Sequence, residues 1–461
     1  MKKKKKLVKV LGVALMSTML LSTVAVAGPQ SKPNGPYVEV EQNLSLQSFM
    51  SNDQLYSKLQ QLELRSNGKM KLDIAGYSDA MNGDLMEQSG YPLYVVKFGD
   101  ADPNKKKVLI TSQIHGNEPI GTEAIIELVQ TFLSESKEVN EILENVTVWF
   151  MPRINPDGAA NLYQDKLYPV RYTHQTWDPE EIGLPEGTKA PWNYNLGTER
   201  AQANNGQINY GIPGYDENRD YNPNLDFRIE KYVEARDEQK VIDALNDTSY
   251  YVKDENGNYI TDENGNRVRH TGLNSSDYGG FYVTPEARIV TEVFKELDPD
   301  VYFDLHHRGF NTLTAEDDRS VPIQIAAVVA DPYVDPFTGK SYEVDDDVLT
   351  LGKQINVLGY QSLQKGNSSF GAIQKYPDVN LPGTSLGAFA LNDTAIMLIE
   401  VKGQSQTLGQ KQSGMLTQTV KIPVYEILKG LGDGSVNDIN PNLYNDIPVS
   451  ANGIKDPSVR D

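Results

Sequence analysis

Short apolar runs alternate with amphipathic segments along most of the chain. Six runs of four to seven residues are rich in Val, Ile and aromatic residues, as expected for buried strands. These predicted strands are residues 94–98, 108–114, 146–151, 301–305, 323–329 and 396–399. Apolar residues at spacings of three and four predict helices at 122–133, 286–297 and 416–431. The alternation predicts an α/β fold with a doubly wound, mixed but mostly parallel sheet flanked by helices.

Two long segments, 159–216 and 246–275, interrupt this alternation. They are rich in Asn, Gly, Pro and Tyr, and we interpret them as long loop insertions around the working face. The second contains Asp-Glu-Asn-Gly-Asn twice, at 254–258 and 262–266. A calcium-binding loop places its glycine sixth, whereas here it is fourth, so a hairpin with Asn-Gly turns is the favoured interpretation.

The N-terminus has the three-part layout of a cleaved signal peptide. Lys2 to Lys6 and Lys9 precede a 12-residue apolar run, 10–21, and Ala25-Val26-Ala27 follows it. The run is shorter than the roughly 20 residues that a membrane-spanning helix needs. We therefore predict a signal peptide at 1–27 and a secreted, extracellular protein. The sequence contains no Cys, so neither a lipid-modified Cys anchor nor a disulfide is available.

The remaining chain is consistent with one catalytic domain. Residues 28–36 are rich in Pro and Gly and form a predicted disordered leader. The domain is predicted at 37–432, with a C-terminal tail at 433–461. The formal net charge of −20 disfavours nucleic acid as a partner, because like charges repel the phosphate backbone. The sequence does not determine the oligomeric state.

The five histidines, at 115, 174, 270, 306 and 307, limit any imidazole metal site to a short list. His115-Gly-Asn-Glu118-Pro119 lies between a predicted strand and a predicted helix. A strand end followed by a helix start can direct a His and a Glu toward one point. A His followed three residues later by an acid is expected about once by chance in this composition, so the motif needs support from elsewhere in the chain.

That support comes from Asp304-Leu-His306-His307, at the end of another predicted strand. Side chains alternate along a strand, so Tyr302, Asp304 and His306 share one face. His306 is the better candidate ligand, and His307 is expected to have a structural or supporting role. Two His and one Glu leave a fourth position open, which is typical of catalytic zinc.

Further motifs follow in a fixed order. They are Asn155-Pro-Asp-Gly158, Asp216-x-Asn218-Arg219-Asp220 and, after Leu305-His306, Ile399-Glu400-Val401-Lys402. Together with His115-x-x-Glu118, they make the chain resemble the zinc metallocarboxypeptidases, the family of carboxypeptidase A. The resemblance extends from about residue 37 to about residue 430.

The resemblance implies that His115, Glu118 and His306 bind one Zn²⁺ per chain. Asp216 would accept the other ring N–H of the first His ligand, fixing its tautomer. Asn218 and Arg219 would hold the C-terminal carboxylate of a peptide or protein substrate.

The resemblance also assigns the residues around the reacting bond. Glu400 would be the general base, and it ends an apolar strand where a charge is costly unless it faces a polar cleft. The alternative is a solvent-exposed Glu on an edge strand. Either Arg153 or Arg171 would polarise the scissile carbonyl, and the family's spacing favours Arg171. The family also has a mobile Tyr near the substrate, and Tyr376 is the candidate for it, because Phe389 lacks a hydroxyl. The sequence does not identify the pocket that would hold the C-terminal side chain of the substrate.

Two other functions remain open. A related zinc amidohydrolase would act on cell-wall peptides or on acyl-amino-acid amides, and Arg219 would favour a free carboxylate there too. A non-catalytic binding protein on the same fold would be expected to lose the base or a metal ligand first, and this sequence retains both.

Overall fold

The computed structural model describes most of the chain between Phe49 and Val449. All described residues belong to one unit, Asn34–Asp461; a second unit, Met1–Pro33, lies outside them. The predicted signal peptide, the leader, His270 and most of 246–275 also lie outside the described residues. The described residues are 49–80, 83–163, 166–167, 169–176, 178–191, 193–196, 202–204, 207–209, 213–246, 258, 261, 278–308, 321–327, 332–335, 338–364, 372–377, 381–402 and 409–449.

Helices and strands alternate over the described residues. The helices are α1 Asn52–Arg65, α2 Ile120–Phe132, α3 Lys137–Asn145, α4 Pro156–Ala160, α5 Ile229–Glu234, α6 Glu238–Asn246, α7 Pro285–Leu297, α8 Asp346–Gln364, α9 Ser385–Ala390 and α10 Gly409–Asp433. The long strands are β1 Lys71–Tyr77, β2 Pro92–Phe98, β3 Lys106–Ser112, β4 Val146–Met151, β11 Val301–Arg308, β12 Ile323–Ala326 and β16 Ala395–Lys402. The short strands are β5 Leu162–Tyr163, β6 Lys166–Leu167, β7 Tyr194–Leu196, β8 Gln202–Asn204, β9 Gln207–Asn209, β10 Pro213–Tyr215, β13 Tyr333–Val334, β14 Ser341–Tyr342 and β15 Gln374–Lys375.

Eight of these strands form one sheet in the order β1-β2-β4-β3-β11-β16-β12-β15. The central strands β4, β3, β11 and β16 run parallel, and β15 is parallel to β12. The remaining neighbours pair antiparallel. The predicted mixed, mostly parallel sheet flanked by helices is therefore confirmed. Ligands in such sheets bind beyond the carboxyl ends of the parallel strands.

The alternation of side chains on β11 divides the core between the two faces of the sheet. Val301, Phe303 and Leu305 belong to one buried cluster, which also contains apolar residues of α2 and α10. Tyr302 belongs to the other cluster, together with apolar residues of α7. Because successive side chains point to opposite faces, Asp304 and His306 share the face of Tyr302.

The 19-residue helix α8 was not predicted from the apolar pattern. Its buried face contains small and polar residues, including Gly352, Gln354 and Asn356. Apolar residues therefore do not recur clearly at spacings of three and four along this segment. The Asn356 Nδ2 donates to the carbonyls of Gly352 and Ile396. Apolar periodicity detects helices only where the buried face is apolar.

The first insertion has more regular structure than the predicted loops. Within 159–216, the described residues form three small antiparallel sheets, β5 with β6, β7 with β10 and β8 with β9. The packed domain also continues past residue 432, because Val436, Tyr444 and Ile447 are buried in the core cluster that contains Val301. None of the described helices is both long and apolar enough to cross a membrane.

Candidate active site

His115 lies in the loop between β3 and α2, at the carboxyl end of a central strand. This loop packs tightly on the Asn-Pro-Asp-Gly segment, since a Cβ on Gly116 would lie 2.2 Å from the Gly158 carbonyl carbon. Gln113, with a positive φ of 54°, turns the chain, and its Nε2 donates to the Gly116 carbonyl at 2.6 Å. The buried His115 ring therefore has a fixed position, with its Nε2 3.2 Å from Asp216 Oδ1.

Glu118 faces His115 from the last turn before α2. Its Oε1 lies 3.0 Å from His115 Nδ1, and its Oε2 accepts the His307 N–H at 2.9 Å. Burial alone would raise the pKa of this carboxyl, but the neighbouring His115 and His306 hold it well below its usual range. Glu118 is therefore an ionised, buried carboxylate.

His306 comes from the adjacent strand β11 and is oriented by a second carboxylate. Its Nε2 lies 2.8 Å from Oδ2 of Asp304, a fully buried residue, and that oxygen also accepts from Ser385 Oγ at 2.8 Å. Burial would lower the pKa of His306, but Asp304 and Glu118 raise it well above its usual value. The role of Asp304 was missed in the sequence, although its place on the face of His306 was a signal for it.

The three side chains fit a zinc ion. His115 Nδ1, His306 Nδ1 and the Glu118 oxygens lie 3.0 to 3.2 Å from one another across the site. Ligands about 2.0–2.1 Å from a tetrahedral zinc ion would be about 3.3 Å apart. Both Nδ1 atoms point into the gap, and both Nε2 atoms point to carboxylates, as in carboxylate–histidine–zinc arrangements. Among the described residues, these three form the one group of three or more His and acidic side chains whose ligand atoms all lie within 4.8 Å of one another.

His307 points away from this gap. Its Nε2 accepts the backbone N–H of Ile120, the first residue of α2, at 3.0 Å. Burial lowers its pKa to about 4, so the ring is neutral and can accept this bond. The ring therefore satisfies an otherwise unpaired N–H at the start of a helix.

The structure separates the two candidate arginines. Arg153 lies away from the metal gap and donates to Gln113 Oε1, Asn52 Oδ1 and the Met50 carbonyl. Arg171 lies at the gap: its Nε donates to Asp216 Oδ2 at 2.8 Å, and its Nη1 is 3.2 Å from His115 Nδ1. Burial would raise the pKa of Asp216, but Arg171 and His115 hold it well below its usual range. Arg171 is thus the arginine that is brought to the site.

Asn218 and Arg219 lie on a single 3-10 turn, Glu217–Arg219, which follows Asp216. The Asn218 Nδ2 is 3.2 Å from His306 Nε2, and its Oδ1 accepts from the Ser385 backbone N–H at 3.1 Å. Arg219 is partly exposed, and its Nη1 donates to the Asn218 carbonyl at 2.6 Å. The turn therefore places a partly exposed guanidinium next to a buried amide beside the metal gap.

Glu400 lies on β16, directly opposite His306 on β11. It is half-buried, and its Oε2 has no hydrogen-bond partner among the described residues. Burial raises its pKa to about 7, while His306, Arg308 and Arg171 act against that rise. Burial lowers the pKa of Arg308, two residues beyond His306, while Glu400 and Tyr376 act against that fall. Tyr376 is half-buried and packs against the core cluster that contains Tyr302.

A sequence model described as zinc carboxypeptidase matches residues 88–313. The matched range contains the trio of His115, Glu118 and His306, and it also contains Arg171 and the turn with Arg219. Glu400 and Tyr376 lie beyond it.

Individual relatives match over shorter stretches. Carboxypeptidase E from Caenorhabditis elegans is 34% identical over 77 residues, 15% of this chain and 16% of that protein. Carboxypeptidase B from Astacus astacus is 32% identical over 80 residues, 17% of this chain and 26% of that protein. The matches thus span only about a sixth and a quarter of these relatives. The solved structure of bovine thrombin-activatable fibrinolysis inhibitor, in complex with tick carboxypeptidase inhibitor, is 13% identical with a TM-score of 0.46; the match covers 84% of this chain and 98% of that one.

Proposed function

The chain belongs to the zinc carboxypeptidase family, and from this premise we propose that it is a secreted carboxypeptidase that removes C-terminal residues from peptides. The observation that carries the proposal is the convergence of His115 Nδ1, His306 Nδ1 and Glu118 within 3.0 to 3.2 Å beside the half-buried Glu400. Secretion rests on the signal-peptide features of residues 1–27.

His115, Glu118 and His306 would hold one Zn²⁺, which lowers the pKa of coordinated water and polarises a carbonyl when it is bound. Asp216 and Asp304 fix the two imidazoles through their Nε2 atoms. These carboxylates keep each Nδ1 directed into the gap, so the ligand geometry exists before the substrate arrives.

Glu400 would act as general base. It would take a proton from the attacking water and later give that proton to the leaving amine, so its carboxylate is regenerated in each cycle. The free Oε2 and the elevated pKa suit this exchange, because the ideal pKa of a general base lies near the working pH.

Arg171 and Arg219 would act on different parts of the substrate. Arg171 is beside His115 and would stabilise negative charge that develops on the scissile carbonyl oxygen. Arg219, with Asn218, would bind the terminal carboxylate by charge-assisted hydrogen bonds. Tyr376 would close over the substrate from the side of Arg308.

The test compares one peptide with a free and with an amidated C-terminus. The amide removes the charge that Arg219 would bind, so kcat/KM should fall roughly 30- to 5000-fold. Arg219→Ala should slow the free acid strongly and the amide little, while Arg228→Ala, on the N-terminal side of α5, should preserve the preference. The product should be a single amino acid. Similar rates on both peptides, or internal cleavage, would contradict the proposal and favour a broader zinc amidohydrolase.

A further inference from the structure

A second group of buried oxygen atoms lies near the turn that carries Arg219, where Asp220 accepts the backbone N–H groups of Phe281 and Thr284 just before α7. Glu217, on that turn, and Glu286, in the first turn of α7, are both 0% exposed. Within the described residues, neither oxygen of Glu217 has a hydrogen-bond partner. Glu286 accepts from Gln175 Nε2 at 3.1 and 3.2 Å. We name Glu217, Glu286, Gln175 and Tyr221 the buried oxygen cluster.

Two neutral oxygens in the cluster also lack a hydrogen-bond partner among the described residues. Gln175 is 6% exposed; its Nε2 donates to the Ser78 carbonyl and to both Glu286 oxygens, and its own Oε1 accepts no bond from the described part of the chain. The Tyr221 hydroxyl is fully buried and equally unpartnered there, and burial together with the nearby Glu217 raises its pKa. Buried polar atoms without partners require an explanation, and a bound ion is one of them.

The charges around the cluster add to the free-energy cost of burying its two carboxylates. Between residues 49 and 449, as far as the structure describes them, no Lys, Arg or His forms an ion pair with Glu217 or Glu286. The charged groups that act most strongly on Glu217 are Glu286, Asp216, Asp220 and Asp304, all acidic. Asp157 and Asp79 act on Glu286 in the same sense. Two carboxyl groups can remain buried in this environment only if a cation compensates their charges or a proton neutralises one of them.

We propose that the buried oxygen cluster binds a calcium-like cation. Two carboxylates neutralise a divalent ion, and an amide oxygen and a phenolic hydroxyl are further oxygen ligands of the kind that hard cations prefer. This donor set differs from the imidazole-rich gap at His115 and His306. The bound ion would tie the Glu217–Arg219 turn to the start of α7, and so would hold Asn218 and Arg219 in place.

A shared proton is the competing explanation, and pH separates the two. Both carboxyls have a raised pKa, so without a cation their contribution to stability is present below about pH 4.5 and is lost as the pH rises. A cation would compensate the ionised pair, so calcium should stabilise the protein at pH 8 and much less at pH 5. A shared proton would give no calcium response at either pH.

The experiment is a calcium titration of the zinc-loaded full chain at pH 8, followed by thermal unfolding and calorimetry. We expect one calcium site per chain and a rise in Tm of about 2 to 5 °C at 10 mM calcium, typical of an extracellular site of modest affinity. Glu217→Gln and Glu286→Gln should each abolish the response and unfold at a higher temperature than the calcium-free parent. Glu296→Gln, exposed on α7, is the matched control and should keep the response.

Two further variants keep the result interpretable. His306→Ala, which lacks a zinc ligand, should retain the calcium shift, so the response cannot come from the zinc gap. Tyr221→Phe should fold and bind calcium more weakly by about tenfold or less, because it loses one neutral ligand. A parent without a calcium response at pH 8 would overturn the proposal. So would a response that persists unchanged in both Glu→Gln variants.

Discussion

His306 and Glu400 lie directly opposite each other on the parallel strands β11 and β16. Neighbouring strands are about 4.8 Å apart, so this pairing sets a metal ligand and a carboxylate side by side at one edge of the sheet. On the other side of β11, Leu305 pairs with Ser112, the last residue of β3 before the His115 loop. Three adjacent strands therefore present the proposed ligands and base together.

The first prediction concerns Glu400→Gln. The amide keeps the shape but cannot take a proton, so kcat should fall by about 10² to 10⁴. Zinc content by elemental analysis and Tm should match the parent, since Glu400 is not among the three convergent ligands. Turnover within about threefold of the parent would mean that another group is the base.

The second prediction distinguishes the adjacent histidines. His306→Ala should lose most bound zinc, because it removes one of three ligands. His307→Ala should keep zinc but lose the acceptor for the Ile120 N–H, which should destabilise the fold by about 0.5 to 2 kcal/mol. Elemental analysis and urea unfolding of both variants provide the measurement. Equal zinc in the two proteins would refute the ligand assignment.

The third prediction separates Arg171 from Arg153. Arg171→Gln should reduce kcat/KM by about 10² to 10³, the usual effect of losing a donor to a developing negative charge. Arg153→Gln should instead lower the free energy of unfolding by about 2 to 5 kcal/mol, because its buried bonds to α1 and to the preceding Met50 carbonyl are lost. Steady-state kinetics on the folded fraction would show whether Arg153→Gln spares kcat. A larger kinetic defect in Arg153→Gln than in Arg171→Gln would reverse the roles.

The fourth prediction uses Asp157, whose pKa is raised by burial to about 6 from an ordinary 3.8. Such a group favours folding below about pH 3.8, and this contribution is lost as the pH rises through about 6. Asp157→Asn should therefore be more stable than the parent at pH 8, by about 1 to 3 kcal/mol, and should gain nothing at pH 4. Urea unfolding at the two pH values tests it, and an equal difference at both would disprove the linkage.

The sequence predicted the sheet and the convergence of His115, Glu118 and His306, because the strands and the strand-end motifs are each encoded locally. Each central strand is a continuous apolar run, and each proposed ligand stands at or just after a strand end, where the fold must bring it to one edge. The same alternation indicated that His306, and not His307, faces the gap. These features depend on residues within a few positions of one another.

Other features depend on contacts between distant segments. The buried face of helix α8 contains polar residues such as Asn356, whose bond to the Ile396 carbonyl exists only in the folded chain. The link from Ser385 through Asp304 to His306 joins helix α9 to strand β11. Nothing in the sequence distinguishes the unpaired Glu217 from the other acidic residues of this acidic chain. Burial and long-range pairing decide these cases, and neither is a local property.

The close approach of Gly116 to Gly158 constrains how this protein can be changed by directed evolution. A Cβ at either position would meet backbone atoms within 3 Å, which cannot move aside as a flexible side chain could. A substitution at Gly116 would therefore displace the His115 loop, and a substitution at Gly158 would displace the backbone of Val170 and Tyr172, which flank Arg171. Libraries that aim to alter selectivity should leave both glycines intact and diversify the partly exposed surface around Arg219, Arg308 and Tyr376.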